Sequence, residues 1–207
     1  HMTTLMYAKG TCSIGIHVLL EEIGIPYELK KADFSKGEQH TPEFRAVNPK
    51  GKVPALVRDD GTVLTEYGAI AMWLAMTHPE KKLVPSDPEG VARVIEALDF
   101  AVGTLHMLSW RMFRRPDAYT ADADEQAQLK ARGKEAVEKG LTVVNEALVG
   151  KDWLAGDYSI ADSALYYVEF WVAEVAKWPL PANVQAHYDR MKQRPSVQAS
   201  RKEEGVA

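Results

Sequence analysis

The sequence contains a single cysteine, Cys12, among its 207 residues. No disulfide bond can form within the chain, which fits a reducing compartment. A Cys-x-x-Cys dithiol is also excluded, because Gly15 stands where its second cysteine would be. Any sulfur chemistry is therefore that of one thiol, and a lone cysteine is more often a small buried hydrophobe than a nucleophile.

Long apolar runs and an excess of positive charge are also missing. No stretch approaches the roughly 20 apolar residues needed to cross a bilayer, and the N-terminus has no signal-peptide pattern. A net charge of -4 argues against a nucleic-acid-binding surface. We therefore expect a soluble cytoplasmic protein with no membrane or nucleic-acid partner. His1, ahead of Met2, is interpreted as a remnant of cloning.

Other reactive motifs are absent as well. Residues 10–15 have the glycine spacing of a phosphate-binding loop, but Ile16 stands where that motif requires lysine. The six histidines are scattered along the chain. Together with one cysteine they predict no metal site.

The spacing of apolar and turn residues changes after residue 80. Before it, the sequence predicts strands at 4–7, 27–32, 53–58 and 62–65, and helices at 14–23 and 67–77. Gly24 is expected to end the first helix, and the polar residues 33–40 are expected to form a loop. Thr41-Pro42 is typical of a helix start, and Asp60-Gly61 joins the last two strands as a hairpin. A hairpin is antiparallel whereas a strand–helix–strand crossover is parallel, so we predict an α/β unit with a mixed sheet.

Residues 81–88 are rich in proline and charge and are interpreted as a linker. Beyond them, the apolar spacing predicts helices at 89–113, 125–148, 159–177 and 181–194. Pro195 is expected to stop the last of these helices. Ser159 and Asp162 have the spacing of a capping box at the start of the third of these helices. The predicted organisation is an α/β domain over 1–80, the linker, and an all-α domain over 89–207.

Cys12 and Ser13 lie in the predicted turn between the first strand and the first helix. At a helix N-terminus a thiol meets free N–H groups and the positive end of the helix dipole, and both favour the thiolate. A thioredoxin-type fold carries its sulfur chemistry at this position. From the residues alone, a functional role and a buried structural role both remain open for Cys12.

A second motif, Asn-Pro-Lys-Gly-Lys-Val-Pro-Ala-Leu, runs from Asn48 to Leu56. Pro54 enters a strand that should pair, although proline has no N–H to donate. A cis peptide between Val53 and Pro54 would resolve this by turning the chain sharply. The Val53 backbone would then be free to pair with an extended peptide ligand. An ordinary loop proline is the alternative.

A third motif places Glu66 and Tyr67 at the N-terminus of the helix predicted over 67–77. The helix dipole favours a carboxylate ligand there, and Glu66 would receive an ammonium group instead. The alternative is that Glu66 only complements the dipole.

In this order and spacing the three motifs resemble those of glutathione transferases, and the chain is most similar to the bacterial beta class over residues 4–205. The resemblance implies a thioredoxin-like N-terminal domain that binds glutathione and an all-α C-terminal domain, in a homodimer. The stretch that holds Cys12 and Ser13 matches the one that carries the catalytic cysteine. His106 matches a histidine that points toward the thiol, where it would lower the thiol's pKa or relay a proton. His17 also matches the class and is interpreted as structural.

The residues that the resemblance assigns to glutathione are Lys36, Lys52, Val53, Pro54, Glu66, Tyr67 and Asp99. Val53 and Pro54 would bind the cysteinyl backbone, and Glu66 the γ-glutamyl end. Asp99 would reach across the dimer to the partner's glutathione. It precedes the catalytic histidine by seven residues, which is close to one helix face by α-helical spacing.

The second substrate implied is a small apolar electrophile, in a pocket lined by Tyr7, Ala8, Met107, Trp110 and Phe113. Trp110 belongs either to this pocket or to the core. Two residues depart from the family pattern. Tyr67 replaces a small residue, and Met107 replaces a frequent lysine and so removes a positive charge near the thiol.

The reaction itself stays open at this point. In conjugation, the Ser13 hydroxyl or the Cys12 amide would hydrogen-bond the glutathione thiolate. In thiol–disulfide exchange, the Cys12 thiol would form a mixed disulfide with glutathione. A non-catalytic protein of the same fold, acting as a ligand carrier or an interaction module, is the alternative from another functional class. Glutathione is the expected co-substrate, and no metal is expected.

Overall fold

The computed structural model describes residues 2–207, and His1, interpreted above as a cloning remnant, lies outside them. Four strands form one sheet: β1 (Thr3–Tyr7), β2 (Tyr27–Lys31), β3 (Ala55–Val57) and β4 (Val63–Thr65). Their order is β2-β1-β3-β4. β1 is parallel to β2 and antiparallel to β3, and β3 is antiparallel to β4. The predicted mixed sheet is therefore confirmed.

Three helices accompany the sheet: α1 (Ser13–Ile23), α2 (Pro42–Val47) and α3 (Tyr67–Thr77). Successive strand residues point to opposite faces, so Leu5 joins the main core with α1 and α3. Met6 joins a smaller core with Phe44 of α2. One helix ends and another begins where the sequence predicts. Gly24 ends α1 with a φ of 79°, which suits glycine, and the Thr41 hydroxyl accepts from the Phe44 N–H at 3.2 Å.

The rest of the chain is helical, with α4 (Pro88–Asp99), α5 (Arg111–Arg114), α6 (Ala123–Ala147), α7 (Ile160–Phe170), α8 (Ala182–Gln193) and α9 (Pro195–Glu204). Two π-helical segments, Phe100–Trp110 and Trp171–Val175, continue α4 and α7. One core joins side chains of both halves, and α1 packs directly against α7 and α9. Across residues 2–207, no helix has the length and apolarity that a membrane span requires.

The helix predicted at 89–113 is continuous but is not α-helical throughout. Its middle 11 residues are a π-helix, in which i→i+5 hydrogen bonds close wider turns. The Ser109 hydroxyl fits this geometry, since it donates to the Thr104 C=O five residues earlier at 2.7 Å. The α-helical spacing that related Asp99 to His106 is therefore wrong, because the wider turns lie between them.

One other stretch differs from its prediction. Residues 33–40, predicted as a loop, contain two short 3-10 turns. The Asp33 side chain closes the first by accepting from the Ser35 N–H at 3.0 Å. Pro195 stops α8 as predicted and also begins α9, since proline is favoured at the first helical position.

The start of α7 carries the predicted capping box and a buried ionic cluster. The Ala161 N–H donates to the Ser159 hydroxyl at 3.2 Å, and the Ser159 N–H donates to Asp162 at 2.9 Å. The other Asp162 oxygen lies 2.9 Å from His187 Nε2, and Glu169 lies 2.8 Å from His187 Nδ1. All three ionisable side chains are fully buried. They link α7 to α8 inside the helical half.

Candidate functional site

The turn between β1 and α1 is held by hydrogen bonds among its own residues. The N–H and the hydroxyl of Thr11 both donate to the Ala8 C=O, at 3.2 and 2.9 Å. The Ser13 hydroxyl lies 3.3 Å from both the N–H and the C=O of Ala8, and 2.8 Å from the Thr11 hydroxyl. Because Ser13 is fully buried, its side chain supports the turn and is not presented to a ligand, contrary to one of its predicted roles.

Side chains from the C-terminal helices also hold this turn, through hydrogen bonds to the Gly10 backbone. The Gly10 N–H donates to Glu204 at 3.0 Å, and the Gly10 C=O accepts from the Trp171 indole N–H at 2.8 Å. The other Glu204 oxygen lies 2.7 Å from Nδ1 of the fully buried His17, in line with the structural role expected of that histidine. Sequence reasoning missed Glu204 and Trp171, which are 194 and 161 residues from Gly10.

Cys12 is the N-cap residue of α1 and keeps partial exposure. Its thiol donates to the Val53 C=O at 3.6 Å, which brings the first two motifs into contact. Desolvation raises the pKa of the Cys12 thiol to about 12, although the N–H groups of Cys12 and Ser13 and the charge of Lys52 act to lower it. Burial of the thiol therefore opposes the helix terminus, which by itself favours the thiolate.

A thiol with this pKa is expected to react slowly at neutral pH. Its thiolate fraction at pH 7 is about 10³-fold below that of an ordinary cysteine. We expect iodoacetamide to alkylate Cys12 at pH 7 at least about tenfold more slowly than free glutathione, with the rate still rising above pH 9. Intact-protein mass spectrometry measures the adduct, and Cys12→Ala should take up none. A rate that levels off below pH 8 would contradict the effect of burial.

The peptide bond between Val53 and Pro54 is cis, as the second motif predicts. Asn48, almost fully buried, holds the turn ahead of it. Its side chain donates to the Lys52 C=O at 2.8 Å and accepts from the Lys50 N–H at 3.1 Å. This explains why the motif begins with asparagine.

Glu66 precedes α3 with a φ of 75°, a conformation that is costly for a non-glycine residue and is concentrated at functional sites. Its carboxylate accepts from Lys50 Nζ at 2.7 Å, and the same ammonium group donates to the Thr65 hydroxyl at 3.0 Å. Both side chains of the ion pair are about half exposed or more, so the pair is worth about 1 kcal/mol or less and opens easily. Lys50 lies inside the second motif, yet sequence reasoning assigned it no role.

The Tyr67 side chain points into the core. It is buried, and its hydroxyl has no hydrogen-bond partner within the part of the chain that the structure describes. Its ring centroid lies 5.4 Å from that of Tyr167. A Cβ atom on Gly15 would come 2.0 Å from the Tyr67 hydroxyl. The bulky residue noted as a departure from the family pattern fits here because residue 15 is glycine.

His106 lies on the first π-helical segment, with Nδ1 2.8 Å from the Tyr167 hydroxyl. Its ring meets those of Tyr167 and Trp171 edge-on, with centroids 5.4 and 4.7 Å away. Desolvation, followed by the positive charges of Arg111 and Lys52, lowers the pKa of His106 to about 4. The imidazole is therefore neutral at physiological pH. The predicted effect of His106 on the thiol's pKa would therefore act through a hydrogen bond and not through a positive charge.

Three further residues predicted to contact glutathione lie at the surface. The Lys36 side chain is largely exposed, 4.0 Å from Asp33. Asp99 is exposed at the end of α4. Lys52 is also exposed, and its charge acts on the Cys12 thiol. Of these three residues, Lys52 is the one whose charge lowers the pKa of the Cys12 thiol.

The residues predicted to line an electrophile pocket divide between core and surface. Tyr7, Ala8 and Trp110 are buried. Tyr7 lies with its ring centroid 6.4 Å from that of His17, and Trp110 stacks on Trp171 at 5.4 Å. Tyr7 and Trp110 belong to the main core, and the assignment of the three residues to a pocket stays a prediction.

Met107 and Phe113 keep accessible surface, with Met107 40% exposed. The Phe113 ring packs at 4.5 Å from that of Trp178. A cavity of about 610 Å³ lies elsewhere, between α4, α6 and α7, and it is lined by none of the predicted site residues.

One group within residues 2–207 has the side chains and spacing to hold a metal ion. Ligand atoms of His17, Glu21 and Glu203 lie within 4.8 Å of one another. Both His17 nitrogens already have partners, since Glu204 lies 2.7 Å from Nδ1 and the Tyr27 hydroxyl 2.9 Å from Nε2. The histidine is therefore engaged by the protein itself.

Residues 11–77 match the family model of the glutathione S-transferase N-terminal domain, and residues 69–195 match that of the C-terminal domain. The chain is 35% identical over 207 residues to "Glutathione S-transferase GstA" of Escherichia coli O157:H7, with 98% of each chain covered.

Solved structures are similar over the whole chain. A glutathione transferase homologue from Sulfitobacter, with bound glutathione, is 30% identical and has a TM-score of 0.89 over 100% of this chain and 99% of that one. The bacterial beta class glutathione S-transferase of Sphingomonas chungbukensis is 31% identical, with a TM-score of 0.83 over 99% and 100% of the two chains. The resemblance drawn from the motifs, and the fold that it implied, are confirmed.

Proposed function

Because the chain belongs to the glutathione S-transferase family and is an enzyme of that class, we propose that it binds glutathione beside Cys12, Val53 and Glu66 and joins its sulfur to a small apolar electrophile. The observation that carries the proposal is the hydrogen bond from the Cys12 thiol to the Val53 C=O, which unites two motifs. The ion pair of Lys50 with Glu66 ties the third motif to the second.

Each part of the tripeptide would meet a complementary group. The Val53 backbone would pair with the cysteinyl unit as with an added strand. Glu66 would receive the γ-glutamyl ammonium group, while Lys50, released from Glu66, would receive the adjacent carboxylate. The Tyr67 N–H at the start of α3 would favour the same carboxylate. One exposed ion pair is thereby replaced by two contacts of matched charge.

Three further residues belong to the proposed glutathione site. Lys36 and Lys52 would attract the glycyl carboxylate, and Asp99 would reach the glutathione of a second chain. We propose a cytoplasmic homodimer that detoxifies reactive electrophiles. A sedimentation mass of twice the 23.0 kDa of one chain would support the dimer.

The raised pKa of Cys12 favours conjugation over disulfide exchange, since little thiolate would be available to attack a disulfide. In conjugation the sulfur of glutathione is the nucleophile, and the N–H groups at the start of α1 would stabilise its thiolate. The sulfur attacks the electrophilic carbon, the leaving group departs with the bonding pair, and the thiol proton passes to solvent. Met107 and Phe113 would contact the electrophile.

The proposal is tested with pure protein, glutathione and a chloronitrobenzene, alongside a disulfide-exchange assay and a glutathione affinity column. We expect retention on the column and conjugation above background. In Cys12→Ala, conjugation is expected to persist, while any exchange activity disappears. No retention together with background rates in both assays would favour the alternative of a non-catalytic ligand carrier.

Glutathione affinity is expected to depend on the Glu66 carboxylate. A charge-assisted hydrogen bond is worth about 1.5–3 kcal/mol, so Glu66→Gln should weaken binding by roughly 10- to 100-fold. Isothermal titration calorimetry measures the change. Glu43→Gln removes a charge that is also exposed, from α2, and should bind glutathione as the wild type does. Equal affinities of the two variants would remove Glu66 from the site.

A further inference from the structure

The Tyr167 hydroxyl determines which nitrogen of His106 carries a proton. Tyr167 is fully buried, and Nδ1 of His106 is its hydroxyl's one hydrogen-bond partner among residues 2–207. A buried hydroxyl that donates to nothing costs about one broken hydrogen bond, so the Tyr167 O–H donates to Nδ1. A nitrogen that accepts in this way carries no proton. In the neutral ring the proton is therefore on Nε2.

The side chains around His106 keep its imidazole ring neutral. It lies between the aromatic side chains of Tyr167 and Trp171. The charged groups that act on it, Arg111 and Lys52, are both positive. Both charges and the burial oppose the cation, which is why the pKa of His106 is lowered to about 4. Above about pH 5, the ring therefore has one N–H donor and no second proton to release.

The second nitrogen of His106 is available to a ligand. Nε2 has no hydrogen-bond partner among the described residues, and it is not among the buried unpaired atoms. The thiol is near the same tyrosine. Burial first, and then the charge of Cys12, raises the pKa of Tyr167. Tyr167 is thus near enough to the Cys12 thiol to be affected by its charge, and its hydroxyl is hydrogen-bonded to the His106 ring.

We propose that Tyr167 is a positioning residue that holds His106 in its Nε2–H tautomer, so that His106 donates a hydrogen bond to the glutathione thiolate and does not act as a base. The donor role rests on the proposed function, whereas the tautomer does not. A donor that is oriented before the substrate arrives stabilises the thiolate without reorganisation. His106 would therefore lower the pKa of bound glutathione by hydrogen bonding, without titrating in the working range.

The tautomer is measured directly in ¹⁵N-labelled protein without glutathione. Long-range ¹H–¹⁵N spectra distinguish a protonated from an unprotonated imidazole nitrogen, and His106→Gln identifies the signals of His106. We expect the Nε2–H form at pH 7 in the wild type and a mixture of tautomers in Tyr167→Phe. Tyr166→Phe is the matched control, because that neighbouring buried hydroxyl accepts from Arg201 instead, and it should leave the spectrum unchanged.

Catalysis provides the second readout. Tyr167→Phe should lower kcat for conjugation about tenfold, the effect of one lost hydrogen bond of ordinary strength, with little change in KM for glutathione. Tyr166→Phe should stay within about twofold of wild type. Glutamine places an amide N–H near the position of Nε2 and asparagine near that of Nδ1, so His106→Gln should retain more activity than His106→Asn.

Several results would overturn the proposal. A proton on Nδ1, or a cationic ring at pH 7, in the wild type would do so even if Tyr167→Phe fails to fold. An unchanged tautomer in a folded Tyr167→Phe would remove its positioning role. The Nε2–H tautomer in a protein that neither binds nor conjugates glutathione would overturn the proposed function and the donor role, and it would still support the control of the tautomer by Tyr167.

Discussion

Replacing His187 with alanine is expected to destabilise the protein by about 3–5 kcal/mol, as the removal of one partner from a buried ionic group does. His187 lies between Asp162 and Glu169, and all three side chains are fully buried. Without the imidazole, the two carboxylates would remain buried but would lose the positively charged partner that they share. Urea unfolding measures the change. His40→Ala, at an exposed position, should alter stability by less than about 0.5 kcal/mol.

The same cluster predicts a direction for the pH dependence of stability. Desolvation lowers the pKa of His187, but Glu169 and Asp162 outweigh it and raise that pKa to about 9. Desolvation raises the pKa of Glu169 to about 7, against the opposing charges of His187 and Arg190. Both groups bind protons more tightly in the folded state, so folding takes up protons.

The stabilisation from His187 is fully present below its unfolded pKa of about 6.5 and is lost as the pH rises through about 9. We therefore expect the free energy of unfolding to fall between pH 6.5 and pH 9 in the wild type. A His187→Ala variant as stable as the wild type at pH 6.5, or a wild type that gains stability toward pH 9, would contradict this account of the cluster.

The second large effect is expected at Gly15. A Cβ atom there would lie 2.0 Å from the Tyr67 hydroxyl and 3.0 Å from the Ser163 C=O. Alanine favours a helix over glycine by about 1 kcal/mol, but overlap in a packed core costs more. We expect Gly15→Ala to destabilise the protein by about 2–3 kcal/mol, lowering Tm by roughly 4–12 °C. Gly103→Ala is the control, because nothing lies within 4 Å of its added Cβ.

A second variant separates this steric contact from a general intolerance of side chains at position 15. Tyr67→Phe removes the unpaired hydroxyl that Gly15→Ala would meet. By itself it should be neutral or stabilising by about 1 kcal/mol. Combined with Gly15→Ala, it should recover much of the lost stability, because the effects of substitutions at two contacting residues are not additive. A double variant no more stable than Gly15→Ala alone would show that the hydroxyl is not the cause.

Much of the fold could be predicted because its signals are local. Gly24 ends α1, Thr41 caps α2, and Ser159 with Asp162 begins α7, as their positions in the sequence indicated. The cis bond before Pro54 was predictable in the same way. Each of these features depends on a few neighbouring residues whose backbone preferences are known.

Features that depend on distant contacts could not be predicted. Glu204 and Trp171 fix Gly10 from the far end of the chain, and no local pattern connects them. No sequence pattern predicted the π-helical segment that carries His106. The pKa of the Cys12 thiol is set by burial, which the helix-terminus argument did not include.

The electrophile pocket was the least predictable part of the site. Apolar and aromatic residues line both pockets and cores, so residue type alone did not separate them. Tyr7 and Trp110 proved to be core residues, whereas Met107 is exposed. Glu66 and Val53, assigned to glutathione, belong to motifs whose backbone geometry the sequence did indicate.

A crystal structure with glutathione would test the central claim most directly. We predict the cysteinyl backbone paired with Val53, the γ-glutamyl ammonium group on Glu66, and Lys50 withdrawn from that carboxylate. The sulfur should lie beside Cys12 and His106 Nε2. Glutathione bound elsewhere, for example in the cavity between α4, α6 and α7, with the ion pair of Lys50 and Glu66 intact, would contradict it.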